Sequence, residues 1–122
     1  MKRLLILAVM ALTFVIAKAT NNNEIDAGNS GINFNHQSWK EIVNKAKTDN
    51  KLIFVDFYTQ WCGPCYNMAT TVFTLPAVGS FYNNNFVCAK IDTENGEGIE
   101  LAKKYGIRSY PTYLFIDPTT EK

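Results

Sequence analysis

Apolar residues recur along this chain in two rhythms, one helical and one extended, and together they mark its elements. Trp39, Ile42, Val43 and Ala46 follow helical spacing. Ser38-Trp39-Lys40-Glu41 ahead of them has the form of a capping box, with Ser38 as N-cap and Glu41 reaching back. A helix is therefore predicted up to the Asp49-Asn50 pair that ends it. Leu52-Ile53-Phe54-Val55-Asp56-Phe57-Tyr58 is almost unbroken apolar sequence, as a parallel strand covered on both faces requires. Earlier, Ile32 and Phe34 alternate with polar neighbours and suit a short first strand. A second helix is expected from about Cys62–Pro64 to Val72. A looser stretch follows from Phe73 to Asn85, with Pro76 and a short helical segment ahead of Asn83-Asn84-Asn85. Phe86 to Ile91 reads as the next strand and Asp92 to Gly98 as a turn region. Ile99 to Tyr105 is a short helix stopped by Gly106, and Tyr113 to Ile116 a further strand. Strands alternating with helices predict an α/β fold with parallel central strands.

One apolar run stands outside this pattern. Lys2 and Arg3 precede a run of 14 residues from Leu4 to Ala17, and Ala17-Lys18-Ala19 offers the small-x-small pattern of a cleavage site. Residues 1–19 are read as a secretory signal peptide. An uncleaved anchor would need about 20 apolar residues, so no stable membrane insertion is expected after cleavage. Residues 20–31, with Asn21-Asn22-Asn23 and two glycines, read as a polar linker, and residues 32–122 as the domain. The formal charge is +1, but removing Lys2, Arg3 and Lys18 leaves nine basic residues against eleven acidic, a net charge of −2. That balance gives no support for a nucleic-acid partner. Export across the inner membrane, most simply to the periplasm, puts the chain where disulfides persist. Its three cysteines are therefore read for redox chemistry.

Trp61-Cys62-Gly63-Pro64-Cys65 follows a buried strand and opens a helix. A cysteine at a helix N-terminus faces unpaired backbone N–H groups and the positive end of the dipole. Both favour thiolate, the attacking species. Pro64 suits the first turn, where its missing N–H costs nothing. Cys65, three residues on, lies on the same helix face within disulfide reach. Cys62 is thus the expected nucleophile, forming a mixed disulfide that the deeper Cys65 resolves. The competing reading is half of a zinc site, which needs two more ligands. Only Cys88 and His36 remain as soft candidates, widely separated in sequence, and no metal or cofactor is expected. Cys88 lies between Val87 and Ala89 in a buried strand, as a small core residue or as a third redox thiol.

These motifs carry a resemblance. Val55-Asp56-Phe57-Tyr58 followed by Trp61-Cys62-Gly63-Pro64-Cys65 resembles the strand and active-site turn of the thioredoxin family. Ala89-Lys90-Ile91-Asp92 is similar to its next strand, and Lys104-Tyr105-Gly106-Ile107-Arg108 with Tyr110-Pro111-Thr112 to the approach to its cis-proline. The likeness runs from about residue 38 to 117. It implies a thioredoxin-like fold, a mixed central sheet flanked by helices, and a thiol–disulfide oxidoreductase acting on disulfide-containing proteins. It implies that Asp56 lies beneath Cys65 and helps deprotonate it; mid-strand burial would raise its pKa as that role needs. Lys90 is then its charge partner, or an ordinary snorkelling lysine. Pro111 is implied to be cis and to face the cysteines, with Tyr110 offering backbone hydrogen bonds to an extended substrate. Trp61, Gly63 and Pro64 complete the substrate-facing surface, although Trp61 is equally readable as a core aromatic anchoring the turn.

The resemblance has limits. Tyr66 stands where thioredoxins commonly carry lysine, and Thr70 where they often carry proline. Phe73-Thr74-Leu75-Pro76-Ala77-Val78, with Phe86-Val87 beyond, is more similar to secreted domains of the disulfide-interchange type. The sequence reaches Lys122 just after Asp117-Pro118, so the family's C-terminal strand and covering helix are expected to be missing. Gly63-Pro64 resembles reducing members, which outside the cytoplasm would draw electrons from a membrane donor. The alternative is a non-catalytic peptide-binding module or holdase using the groove near Pro111.

Overall fold

A computed structural model describes residues 30–122. The expected signal peptide, and the linker up to residue 29, lie outside the described residues. Eight elements follow one another: β1 (Phe34–Asn35), α1 (Trp39–Asp49), β2 (Leu52–Tyr58), α2 (Gly63–Thr71), α3 (Pro76–Asn85), β3 (Phe86–Asp92), α4 (Gly98–Lys104) and β4 (Thr112–Ile116). The strands form one sheet in the order β1-β3-β2-β4. β3 runs parallel to β1 and β2, whereas β4 runs antiparallel to β2. The sheet is mixed, with β2 paired along its whole length on one side and most of it on the other. Among the described residues no helix is long and apolar enough to cross a membrane.

Side-chain alternation along β2 divides the core. Ile53, Val55 and Phe57 point into a cluster with Trp39, Ile42, Val43 and Ala46 of α1 and Leu101 of α4. Phe54 points the other way, into a second cluster with Ile32, Phe73 and Cys88, against which Met68 and Val72 from the α2 side and Val78 and Tyr82 of α3 pack. Helices therefore cover both faces, and β2 is buried from Ile53 to Phe57, which is why its sequence lacks polar alternation. The capping box at Ser38 is formed: its hydroxyl accepts from the Glu41 N–H at 3.4 Å and the Glu41 carboxylate accepts from the Ser38 N–H at 3.0 Å.

Two local expectations are corrected. Pairing in β1 begins at Phe34, because the Ile32 N–H is taken by the Phe73 carbonyl at 2.8 Å instead of by a strand. The segment after Pro76 is a full helix that continues through Asn83-Asn84-Asn85. Long-range contacts override the poor helix propensity of asparagine there. The Asn83 side chain accepts from the Asn33 N–H at 2.8 Å and donates to the Gly31 carbonyl at 3.1 Å. Gly79 allows the same approach, since a Cβ there would overlap the Gly31 backbone. Beyond β4, residues 117–122 turn back, and the Glu121 carboxylate accepts from Trp39 Nε1 at 2.9 Å and Lys104 Nζ at 2.8 Å.

Candidate redox site

The path from β2 into α2 sets the site. Thr59 is buried just past the strand, and its carbonyl receives the Cys62 N–H at 3.3 Å. Cys62 is the N-cap of α2, with extended backbone, and Pro64 occupies the first turn. N-caps are ordinarily oxygen-bearing side chains; here sulfur takes that place, and Cys62 Sγ accepts from the Cys65 N–H at 3.1 Å. The two cysteines are joined as a disulfide, with Cα atoms 5.3 Å apart. Their exposures, 5% and 4%, are nearly equal. The expected greater depth of Cys65 is therefore not a difference in burial in this oxidised state. What distinguishes the two is that Cys62 Sγ holds the helix-end N–H bond, which would favour a thiolate there once the pair is reduced.

Trp61 is a rim residue, 68% exposed, and not a core anchor. Its indole Nε1–H donates to Glu94 at 2.9 Å, and its ring meets Tyr110 edge-on at 5.9 Å. That contact brings the loop before β4 against the active-site turn. The Tyr110-Pro111 peptide bond in that loop is cis. Gly63 and Pro64 are exposed on the same turn, and a Cβ at Gly63 would meet nothing. Gly63, Pro64 and Trp61 thus lie on the turn that carries the cysteine pair, and the Trp61–Tyr110 contact brings the Tyr110-Pro111 segment against that turn.

Asp56 is 1% exposed. By strand alternation it shares the face of Phe54, the face on which Met68 and Val72 pack from the α2 side. Burial, partly offset by the Lys90 ammonium, raises its carboxyl to about 6. Lys90 is the directly paired residue on β3, and its Nζ also stands 4.6 Å from the Tyr58 ring centre. Asp56 Oδ1 has no hydrogen-bond partner among the described residues. A buried carboxyl near neutral pKa can take or release a proton during turnover.

Cys88 is free and buried on the second core face, with its thiol pushed up to about 12 by burial. His36 is exposed in the loop before α1. Among the described residues no group of three or more His, Cys, Asp or Glu is arranged to hold a metal ion. Sequence reading missed Tyr113, opposite Asp56 on β4, because no motif marks it and only the strand register brings it there. It also missed Glu94, whose partnership with Trp61 spans two loops.

Comparison with known proteins agrees with this geometry. The thioredoxin family model matches residues 30–122. The chain is 44% identical over 68 residues to Thioredoxin-1 of Drosophila yakuba, covering 56% of this chain and 59% of that protein. It is 32% identical over 120 residues to Protein disulfide-isomerase 1 of Dictyostelium discoideum, covering 98% of this chain and 30% of that protein. It thus spans less than two thirds of the length of these curated relatives. A solution structure from Bacteroides thetaiotaomicron, of a protein with the working description of a disulphide-isomerase, superimposes with a TM-score of 0.66 at 46% identity, covering 73% of this chain and 74% of that one. With its sheet order, its Cys62–Cys65 pair capping α2 and its cis Pro111 loop in place, the chain belongs to the thioredoxin family.

Proposed function

We propose that this chain is a thiol–disulfide oxidoreductase that reduces disulfides in extracytoplasmic proteins. The observation that carries the reading is the Cys62–Cys65 pair at the start of α2, its first sulfur in the N-cap position. In the reduced protein, the Cys62 thiolate attacks one sulfur of a substrate disulfide. A mixed disulfide forms, and the substrate's other sulfur leaves as a thiolate. Cys65, deprotonated with Asp56 as acceptor, then attacks Cys62 Sγ. The Cys62–Cys65 bond closes and the second substrate sulfur leaves. Two electrons pass from the pair to the substrate, which gains two thiols.

Trp61, Gly63, Pro64, Tyr110 and Pro111 would receive the substrate as an extended peptide, and Lys90 would moderate the charge of Asp56. The leader-like residues 1–19 support an extracytoplasmic, most simply periplasmic, location. Renewal of the dithiol there calls for a membrane electron donor. An insulin-reduction assay with dithiothreitol tests the activity: the wild type accelerates precipitation, and Cys62→Ser abolishes the acceleration. Cys65→Ser accumulates mixed disulfides with substrate proteins, seen on non-reducing gels. Capture by Cys62→Ser and none by Cys65→Ser would reverse the two roles, and an inactive wild type would favour a peptide-binding module.

A further inference from the structure

Asp56 has titratable neighbours on its own strand and on both flanking ones. Lys90 lies beside it on β3 and Tyr58 two residues along its own strand, while α2, the helix that carries Cys65, packs on the same face through Met68 and Val72. On β4 the directly opposed residue is Tyr113. Directly opposed residues of an antiparallel pair put their Cβ atoms on one face about 4.5–5.5 Å apart. Tyr113 is on the Asp56 face, because its ring packs against Phe54 at 5.8 Å and Phe73 at 5.6 Å. Its hydroxyl is buried among these rings with no hydrogen-bond partner. Asp56 Oδ1 is in the same condition. Two orphan polar atoms, one donor and one acceptor, on neighbouring strands and the same buried face, are costly apart and inexpensive together.

The geometry points to Tyr113 as a positioning residue for Asp56, its phenol donating toward the carboxylate through one bridging water. The inference rests on Asp56 as the proton acceptor proposed above. A donor aimed at the carboxylate favours its charged form, so Tyr113 opposes the burial that holds the proton on. The charge on Asp56 in turn helps raise the Tyr113 phenol to about 12, after burial as the larger cause. The phenol therefore stays protonated, and a donor, throughout the working range of pH. A leucine or phenylalanine at this position would fill the same space without touching the proton.

The test follows the Asp56 carboxyl carbon by NMR through a pH titration of the oxidised full chain, so that it needs no turnover. Tyr113→Phe keeps the ring and its packing and removes only the hydroxyl. It is expected to tighten proton binding by Asp56 about three- to tenfold, moving the midpoint up. Tyr82→Phe, a second phenol facing Tyr113 from α3, is expected to leave the midpoint within about twofold. Reciprocally, Asp56→Asn lowers the pH at which Tyr113 ionises, which decides the matter even if Tyr113→Phe folds poorly. An unmoved or lowered Asp56 midpoint in Tyr113→Phe, an equal effect of Tyr82→Phe, or an unchanged Tyr113 ionisation in Asp56→Asn would overturn the coupling. Loss of insulin reduction by the wild type would sink the proposed function and leave these titrations readable.

Discussion

Asp56→Asn should make the protein more stable at alkaline pH and slower at its chemistry. The folded carboxyl binds its proton more tightly than the unfolded one, with its pKa raised from 3.8 to about 6. Between those values the folded state holds more protons, so stability falls as pH rises, and it levels off above the folded pKa. At about 1.4 kcal/mol per tenfold in proton affinity, the ionised carboxylate costs the fold about 3 kcal/mol by pH 8. A buried amide retains a desolvation cost of about 1 kcal/mol. The net gain at pH 8 is therefore about 2 kcal/mol, equal to roughly 8–16 °C in Tm for a domain of this size. By pH 4 the folded carboxyl is protonated and the unfolded one about half so, and the gain has disappeared. Urea unfolding of both oxidised proteins at pH 4 and pH 8 measures the difference. An equal stability change at the two pH values would refute the placement of Asp56 as a desolvated carboxyl.

Two further outcomes follow from the geometry. Ser38→Ala removes the hydroxyl that accepts from the Glu41 N–H and should cost about 1 kcal/mol in unfolding free energy, with no change in the rate of insulin reduction. In the reduced native protein at pH 8, iodoacetamide should modify Cys62 rapidly and leave Cys88 untouched until denaturant is added, because burial holds the Cys88 thiol at about 12. Mass spectrometry of the peptides reads this directly, and prompt labelling of Cys88 would contradict its place in the core.

What was legible in the sequence was what short stretches specify. The Ser38–Glu41 box, the apolar run of β2 and Pro64 in the first turn of α2 each act within a few residues, and each reads the same in the chain as in the fold. The resemblance added what spacing alone could not, above all the cis bond before Pro111. The losses came where distant residues decide. Ile32 spends its N–H on Phe73 and not on a neighbouring strand. α3 persists through three asparagines because Asn83 is held by Gly31 and Asn33. Tyr113 gains its meaning from a register that no local pattern announces. The parts of the redox turn itself all lie upstream of β4.

The alternation along β2 has a consequence for how this chain can change. Odd positions 53, 55 and 57 pack against α1 and α4, while position 56 carries the buried carboxyl proposed as the proton acceptor. Substitutions that conserve volume at the odd positions are tolerated as ordinary core exchanges. Such drift on that face leaves the redox chemistry alone, and a library confined to those positions could be screened for stability without screening for activity. Insertions and deletions are another matter. A single-residue slip would turn Val55 or Phe57 toward α2 and α3 and drive Asp56 into the apolar layer under α1, losing fold and the buried carboxyl in one step. Parity, more than the identity of any one apolar residue, is what this strand must inherit intact.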